Sequence, residues 1–272
     1  MMSDTSLGHF FLNANMAECE VLPVASGSAA VISTRSPDGA ESNEDAAAII
    51  PLGDHSGILA IADGVGGHAS GAEAARLALQ AIERSVRGRA PEDELRTSIL
   101  NGFEMANETV RALGVGAATT LAVVSIDGHW IRSYHAGDTG IIVTGQRGKI
   151  RTRTVDHSPT GYGVEAGLLN EHEAIRHEER HIVSNIVGTE DMRIEIGPSV
   201  QLAARDTVLM ASDGLFDNLM FDDIVDRIRT GPMPHRVNEL ARTILRRMQS
   251  ESTTRPSKPD DLTLVAFRKG SV

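Results

Sequence analysis

A single cysteine, Cys19, stands in a chain of 272 residues. One thiol excludes an internal disulfide framework and fits a reducing compartment, with the side chain set in or near the core. Long apolar runs are missing too: none approaches the roughly 18 residues that cross a bilayer. The opening residues, MMSDTSLGHFF, carry Asp4 early and have neither a basic n-region nor an apolar stretch of signal-peptide length. A cytoplasmic protein without membrane contact is expected. Positive charge is in deficit, the formal net charge being −11. A duplex-binding surface needs basic residues to displace counterions from phosphates, so no nucleic acid partner is expected. There is no internal repeat and no low-complexity segment. The 41% hydrophobic and 23% charged content is that of an ordinary folded chain.

What is present is strand-rich. Apolar runs at Ala29–Thr34, Ala46–Ile50, Ile58–Ala62, Thr119–Ile126, Trp130–His135, Ile141–Thr144, Ile150–Thr154, Val200–Ala203, Thr207–Ala211 and Leu262–Phe267 read as strands. Asp127-Gly128 marks a hairpin between two of them. Ala75, Leu79, Ile82 and Val86 recur at helical spacing, as do Leu95, Ile99, Phe103, Ala106 and Val110. A third stripe runs through Val237, Leu240, Ala241, Ile244, Leu245 and Met248. Clustered strands and helices argue for packed antiparallel sheets covered by helices, not an alternating parallel fold. Trp130 and Tyr134 read as core or sheet-surface aromatics. Residues 1–26 read as a loosely attached arm and 27–272 as one domain with an inserted charged flap at about 158–180. Apolar order returns at Ile182–Val187.

Four Asp-Gly pairs occur, and an Asp-Gly pair is ordinarily a turn. Asp38-Gly39 and Asp127-Gly128 fit that reading. The other two do not. Leu59 to Gly64 and Leu209 to Gly214 are apolar strands that end in a small residue, then Asp, then Gly. A carboxylate at the end of a buried strand is costly to desolvate unless a positive charge meets it. Glu44-Asp45 and Asp260-Asp261 open two further strands, so carboxylates from four strand ends are expected to converge on one sheet edge. An oxygen-only cluster without thiolates suits Mg²⁺ or Mn²⁺ and disfavours structural zinc.

Five segments then occur in order: Ser42-Asn43-Glu44-Asp45-Ala46, Ile61 through His68, Gly137-Asp138-Thr139, Ala211 through Asp217, and Asp260-Asp261-Leu262-Thr263. This series resembles the metal-dependent protein phosphatases of type 2C (the PPM family) in their bacterial form. The likeness runs over roughly residues 28 to 268 and includes Asp156-His157-Ser158, Glu165-Ala166-Gly167 and Asn185-Ile186-Val187-Gly188 around the family's flap. It implies an α+β fold, a four-layer sandwich of two antiparallel β-sheets flanked by helices on both outer faces. It implies hydrolysis of phosphoserine or phosphothreonine in proteins by a metal-activated water, with two Mn²⁺ or Mg²⁺ ions and room for a third. In the resemblance Asp63 bridges two ions and the Gly64 carbonyl reaches the second. Asp213 and Asp260 complete the first ion's ligands, with Asp261 where asparagine is usual. Glu44 and Asp45 order water on the second ion, and Asp138 helps hold a third. Asp63, Asp213 and Asp45 are thus the expected catalytic carboxylates. The expected partner is a phosphoprotein, and the chain is expected to be a monomer.

The family's phosphate-gripping arginine is missing, Ala40 standing five residues before Asp45, and Arg35 lies further upstream. The arginine that commonly follows Gly-Asp-Thr is replaced by Gly140. A guanidinium clamp has no simple substitute, so the alternative is a pseudophosphatase acting as a binding module. Val65 follows the bacterial pattern, which supplies no histidine to protonate the leaving group. Two other motifs are decoys. His177-Glu178-Glu179-Arg180-His181 satisfies the zinc-protease pattern, but its flanks are charged nearly all round and a strand-like run follows at once. Gly64 to Ala69 mimics a dinucleotide loop, yet Asp63 would repel a pyrophosphate. His68, at a helix start, reads as a capping residue or a support behind the ligands, not as a ligand itself.

Overall fold

The computed structural model describes residues 7–39, 42–65, 69–90, 92–114, 116–250 and 256–270. Ala40, Gly66, Gly67 and His68 lie outside them. In chain order the strands β1 (His9–Leu12), β2 (Glu20–Val24), β3 (Gly27–Thr34), β4 (Asp45–Pro51) and β5 (Ser56–Val65) lead into helices α1 (Ala69–Arg87) and α2 (Leu95–Ala112). Then come β6 (Ala118–Thr119), β7 (Leu121–Asp127), β8 (Trp130–Ala136), β9 (Gly140–Thr144) and β10 (Ile150–Arg153). Short helices α3 (Pro159–Glu165) and α4 (Glu171–Ala174) and a 3₁₀ turn at Glu178–His181 occupy the expected flap. The chain continues through β11 (Glu195–Ile196), β12 (Val200–Gln201), β13 (Thr207–Ala211), α5 (Asp213–Phe216), α6 (Phe221–Ile228), α7 (Met233–Met248) and β14 (Leu262–Lys269).

One antiparallel sheet runs β1-β4-β5-β7-β8-β11, with β12 on β8 and β6 on β5; the other runs β10-β9-β13-β14-β3-β2. Period-two alternation explains why the strand sequences are apolar on both faces. Ala46, Ala48 and Ile50 of β4, with Ile58 and Ala60 of β5, pack under Leu79, Ile82 and Phe103 of α1 and α2. Their neighbours Ala47, Ile49, Leu59 and Ile61 turn inward to meet Val31, Val143, Met210 and Phe267 of the second sheet. The far face of that sheet, Ile32, Leu209 and Leu264, is sealed by Ile224, Ile228, Leu240 and Ile244 of α6 and α7. The result is the helix–sheet–sheet–helix sandwich that the resemblance implied.

Differences cluster at edges and loops. The loosely attached arm is replaced by two edge strands: β1 pairs with β4 and β2 with β3. Edge strands bury one face at most, so their periodicity is weak. The run Ile182–Val187 forms no strand. Instead Thr119 and Val187 exchange backbone hydrogen bonds of 3.0 and 2.9 Å. The Asn185 side chain meanwhile takes both polar backbone groups of Arg193, at 2.8 and 2.9 Å. A side chain that satisfies backbone groups in this way removes the need for a ladder. Helix α6 was not read from sequence at all. Trp130 is half exposed and Tyr134 is buried.

Position 140, where the resemblance expects an arginine, is closely packed. Gly140 starts β9 opposite Ala211, and a Cβ there would run into the Phe216 ring. Overpacking of this kind costs about 1–3 kcal/mol. Gly140→Ala is expected to lower unfolding free energy by that amount in urea titrations. Gly145→Ala, whose Cβ would find Asp206 Oδ1 at an ordinary 3.4 Å, is the control. Equal stability of the two variants would refute the packing account.

Candidate metal centre

The acidic edge is assembled by strand register. β4 and β5 run antiparallel with Asp45 opposite Asp63, so two carboxylates leave adjacent strands at one level. In the second sheet β13 ends at Ala211, directly before Ser212 and Asp213, and β14 begins just after Asp260 and Asp261. Ser212 Oγ donates to Asp45 Oδ2 at 2.7 Å and accepts from the Thr263 N–H at 3.1 Å. That hydroxyl stitches the two sheets together at the site.

Neutral side chains place the other carboxylates. Asp63 donates its N–H to Thr120 Oγ1 at 3.0 Å, and its carbonyl accepts from Thr120 N at 2.8 Å and Thr119 Oγ1 at 2.9 Å. Thr120 Oγ1 lies 2.6 Å from Thr139 Oγ1, which draws the Gly137-Asp138-Thr139 turn between β8 and β9 against Asp63. Gly137 has φ +117°, a conformation suited to glycine, and it puts Asp138 into the cluster. Gly64 leaves no room for a Cβ beside the Gly71 backbone of α1, and the Glu44 carboxylate lies over Gly71. The Asp261 carboxylate accepts from Glu44 N at 2.6 Å and Ser36 N at 2.8 Å, so it clamps the backbone that carries the acidic pair. Buried Asn43 bonds Asp45 N at 2.9 Å, Asn13 Oδ1 at 2.9 Å and the Ala14 carbonyl at 2.8 Å. The segment first read as a loose arm therefore braces the site.

All seven expected residues, Glu44, Asp45, Asp63, Gly64, Asp138, Asp213 and Asp260, lie at this one edge. Sequence reading missed three more. Asp217 sits one helical turn after Asp213, a spacing that holds two side chains on one face. Asp156 follows β10. Lys258 sits in the loop before β14 and had no periodic signal. Its Nζ lies 2.6 Å from Asp213 Oδ2, 2.9 Å from Asp260 Oδ2 and 2.9 Å from Asp217 Oδ2. The last is an ion pair without hydrogen-bond alignment, since Asp217 Oδ2 takes no hydrogen bond. Arg35 is exposed, its Nε 3.1 Å from the Asn15 amide.

Burial and crowding shift the charges. Burial first, then the neighbouring aspartates, pushes Asp45, Asp63 and Asp138 well above the usual carboxylate range, with the Ser212 hydrogen bond opposing at Asp45. Burial and Asp217 lift Asp156 to about 7, with Arg153 opposing. Burial and Asp213 lift Asp260 to about 7 and Asp217 to about 6, with Lys258 opposing in both. Burial disfavours the Lys258 ammonium, but Asp213, Asp217 and Asp260 together hold its pKa above the ordinary lysine value. The donors are all oxygen, crowded and short of positive charge. That set fits a hard divalent ion and offers nothing a softer ion prefers.

A second cluster fails the same test. Among the described residues, His135, His157 and Glu195 bring three ligand-type atoms within 4.8 Å of one another. However, His157 Nδ1 accepts from Gly137 N at 3.1 Å and Asn185 Nδ2 at 2.9 Å, which places the ring proton on Nε2, facing Glu195 at 3.1 Å. A metal at Nε2 would need the other tautomer. His135 stacks on His157 at 4.4 Å, and burial holds its pKa down to about 4. The pair braces the Gly137 turn. The zinc-protease pattern also dissolves: His177 caps a 3₁₀ turn by accepting the Glu179 N–H at 3.1 Å, and no α-helix carries the two histidines.

A family model described as protein phosphatase 2C matches residues 38–255. Protein phosphatase PhpP of Streptococcus pneumoniae is 28% identical over 197 residues, covering 68% of this chain and 78% of that protein. A solved serine/threonine phosphatase of S. agalactiae superposes with a TM-score of 0.76 at 23% identity, over 89% of this chain and 99% of that one. The catalytic domain of serine threonine protein phosphatase PstP, solved in complex with two manganese ions, superposes with a TM-score of 0.69 at 23% identity, over 88% and 96%. At these identities the two structures establish the fold.

The raised carboxylates give a pH signature. A proton held more tightly by the folded than the unfolded chain stabilises the fold at low pH, and that stability is lost as pH rises through the folded pKa. Asp156 and Asp260, at about 7, set the window. Chelator-treated protein is expected to lose melting temperature from about pH 5 to about pH 7, between the ordinary carboxylate range and these folded values, and to level off above. Saturating Mn²⁺ is expected to raise the melting temperature and reverse this slope, because it binds the deprotonated carboxylates. A flat profile in chelator would contradict the crowding.

Proposed function

Because the chain belongs to the protein phosphatase 2C family, whose model spans residues 38–255, we propose that its acidic edge holds two Mn²⁺ or Mg²⁺ ions and hydrolyses phosphoserine and phosphothreonine in proteins. The observation that carries this reading is the meeting of Asp45, Asp63, Asp138, Asp213 and Asp260 at one edge, each raising the charge cost of another. When bound, such ions lower the pKa of water and neutralise charge in an in-line displacement at phosphorus.

The chain's own groups supply position. Asp63, the Gly64 carbonyl, Asp213 and Asp260 would hold the ions, with Glu44 and Asp45 beside them to orient water. Asp138, carried on its glycine turn, would help hold a further ion. Thr120, Ser212 and Asn43 bring no charge, so they orient the carboxylates without discharging them. No side-chain nucleophile is needed.

A cavity of about 100 Å³ opens beside these carboxylates, and its lining includes Asp138, Asp156, Asp213 and Asp217 together with Arg153 and Arg180. Arg153 is engaged by Glu171 at 2.7 Å and stacks over Phe221. Arg180 donates to the Ile175 carbonyl and is felt by Asp217. Arg180 is thus the flap cation best placed to meet the phosphorylated residue. No helix among the described residues is long and apolar enough to cross a membrane, and we place the enzyme in the cytoplasm as a monomer.

Hydrolysis of a phosphothreonine peptide is expected to require Mn²⁺ or Mg²⁺. Asp63→Asn and Asp213→Asn each remove ligand charge at constant shape and are expected to cost several kcal/mol, about a hundredfold or more in rate. Full activity in excess chelator would sink the proposal, and metal binding without turnover would leave only a binding module. Arg180→Ala should raise KM by roughly tenfold, the loss of one charge-assisted hydrogen bond, with kcat little changed. An unaltered KM would remove Arg180 from the substrate path.

A further inference from the structure

Lys258 is one of three lysines in the chain, with Lys149 and Lys269. It ion-pairs with the acidic edge, its Nζ lying 2.6 to 2.9 Å from carboxylate oxygens of Asp213, Asp217 and Asp260. Its side chain is only 23% exposed. The backbone beneath it is fixed from two sides. Buried Asn218 donates Nδ2 to the Lys258 carbonyl at 2.9 Å and accepts the Lys258 N–H at Oδ1, also at 2.9 Å. The same Nδ2 bonds the Gly214 carbonyl at 2.9 Å, which ties the lysine loop to the turn that carries Asp213. Ser257 Oγ donates to the Arg247 carbonyl at 3.0 Å and fixes the preceding residue to the end of α7.

The carboxylates around this ammonium are spread. Among the described residues, no three of them bring oxygens within 4.8 Å of one another, whereas ligands on opposite sides of a small octahedral ion are about 4.2 Å apart. An ammonium accepts longer contacts than a divalent ion and reaches the three acids at those longer spacings. For Asp213 and Asp260 to close on an ion, the lysine charge has to leave.

We propose that Lys258 is a tethered countercation of the metal centre: it holds Asp213, Asp217 and Asp260 in the metal-free enzyme, and the first ion enters by displacing it. The inference rests on the proposed metal-binding role of Asp63, Asp213 and Asp260. Metal loading is then an exchange of cations, and apparent affinity is lowered by the fraction of molecules in which the ammonium is in place. An ammonium present nine-tenths of the time weakens binding about tenfold.

Two measurements test the exchange without using activity. Calorimetric titration of Mn²⁺ into the chelator-stripped full chain gives Kd for wild type, Lys258→Met and Asp63→Asn. Lys258→Met is expected to bind Mn²⁺ about tenfold or more tightly than wild type, and Asp63→Asn far more weakly. In wild type, amine acylation followed by mass spectrometry reads the exposure of each lysine. Lys258 is expected to react slowly without Mn²⁺ and several-fold faster with it, while exposed Lys149 stays constant. This second measurement decides the matter if Lys258→Met does not fold. An unchanged or weaker Kd in Lys258→Met, or a Lys258 acylation rate that ignores Mn²⁺, overturns the exchange. If Asp63→Asn still loses Mn²⁺ in that case, the metal site itself stands. Absence of Mn²⁺ binding in wild type and Lys258→Met alike overturns both readings.

Discussion

Repulsion among carboxylates at one edge of a two-sheet sandwich governs the rest of this molecule. Asp45 is almost fully buried, and Asp63, Asp138 and Asp156 line a recess that protein crowds and water still reaches. Buried like charges are tolerated only when a rigid frame holds them and a positive charge answers them. The frame is the pair of sheets, each sealed on its outer face by helices, so that the edge cannot relax by spreading. The answer, with no ion, is Lys258 on one side of the cluster and protons on the other.

The parts that hold the acids are nearly all uncharged. The Thr120 and Thr139 hydroxyls bond each other, as do those of Ser33 and Thr263, while Thr119 and Ser212 donate to the Asp63 carbonyl and the Asp45 carboxylate, and Asn43 joins the N-terminal segment to the acidic pair. Hydroxyls and amides aim a carboxylate without neutralising it, which keeps its charge for an ion. Asp261 is the exception, a carboxylate that spends both oxygens on backbone N–H groups. It works as a loop clamp in a position where the family resemblance expects asparagine.

The charged segment after β10 follows different rules. Three short helical turns carry little buried apolar surface, Ile175 being a buried exception, and their contacts are polar. The Asn170 capping box and the Arg153–Glu171 pair hold shape here where a core would do so elsewhere. Such a layer suits the wall of a groove that receives a large partner.

Strands with apolar runs on both faces and helices with clear stripes were legible because burial on two sheet faces leaves a strong imprint on residue type. The same holds for Asp63 and Asp213, whose Asp-Gly pairs end buried strands and do not turn back. Edge strands β1 and β2 were not legible, since half of each faces solvent and the periodicity fades. Asp156 lay in a segment of the family likeness without an assigned role, and Lys258 carried no local sign, for it sits in a polar loop where a charged residue is ordinary. Tertiary structure alone decided that Lys258 meets three aspartates, because Asn218, 40 residues earlier, clamps its backbone. It also decided that a side chain at position 140 would have to displace a ring 76 residues later (140 to 216). Sequence by itself determines which residues seek burial and which carry charge. The register and packing of distant segments determine which charges must share one site.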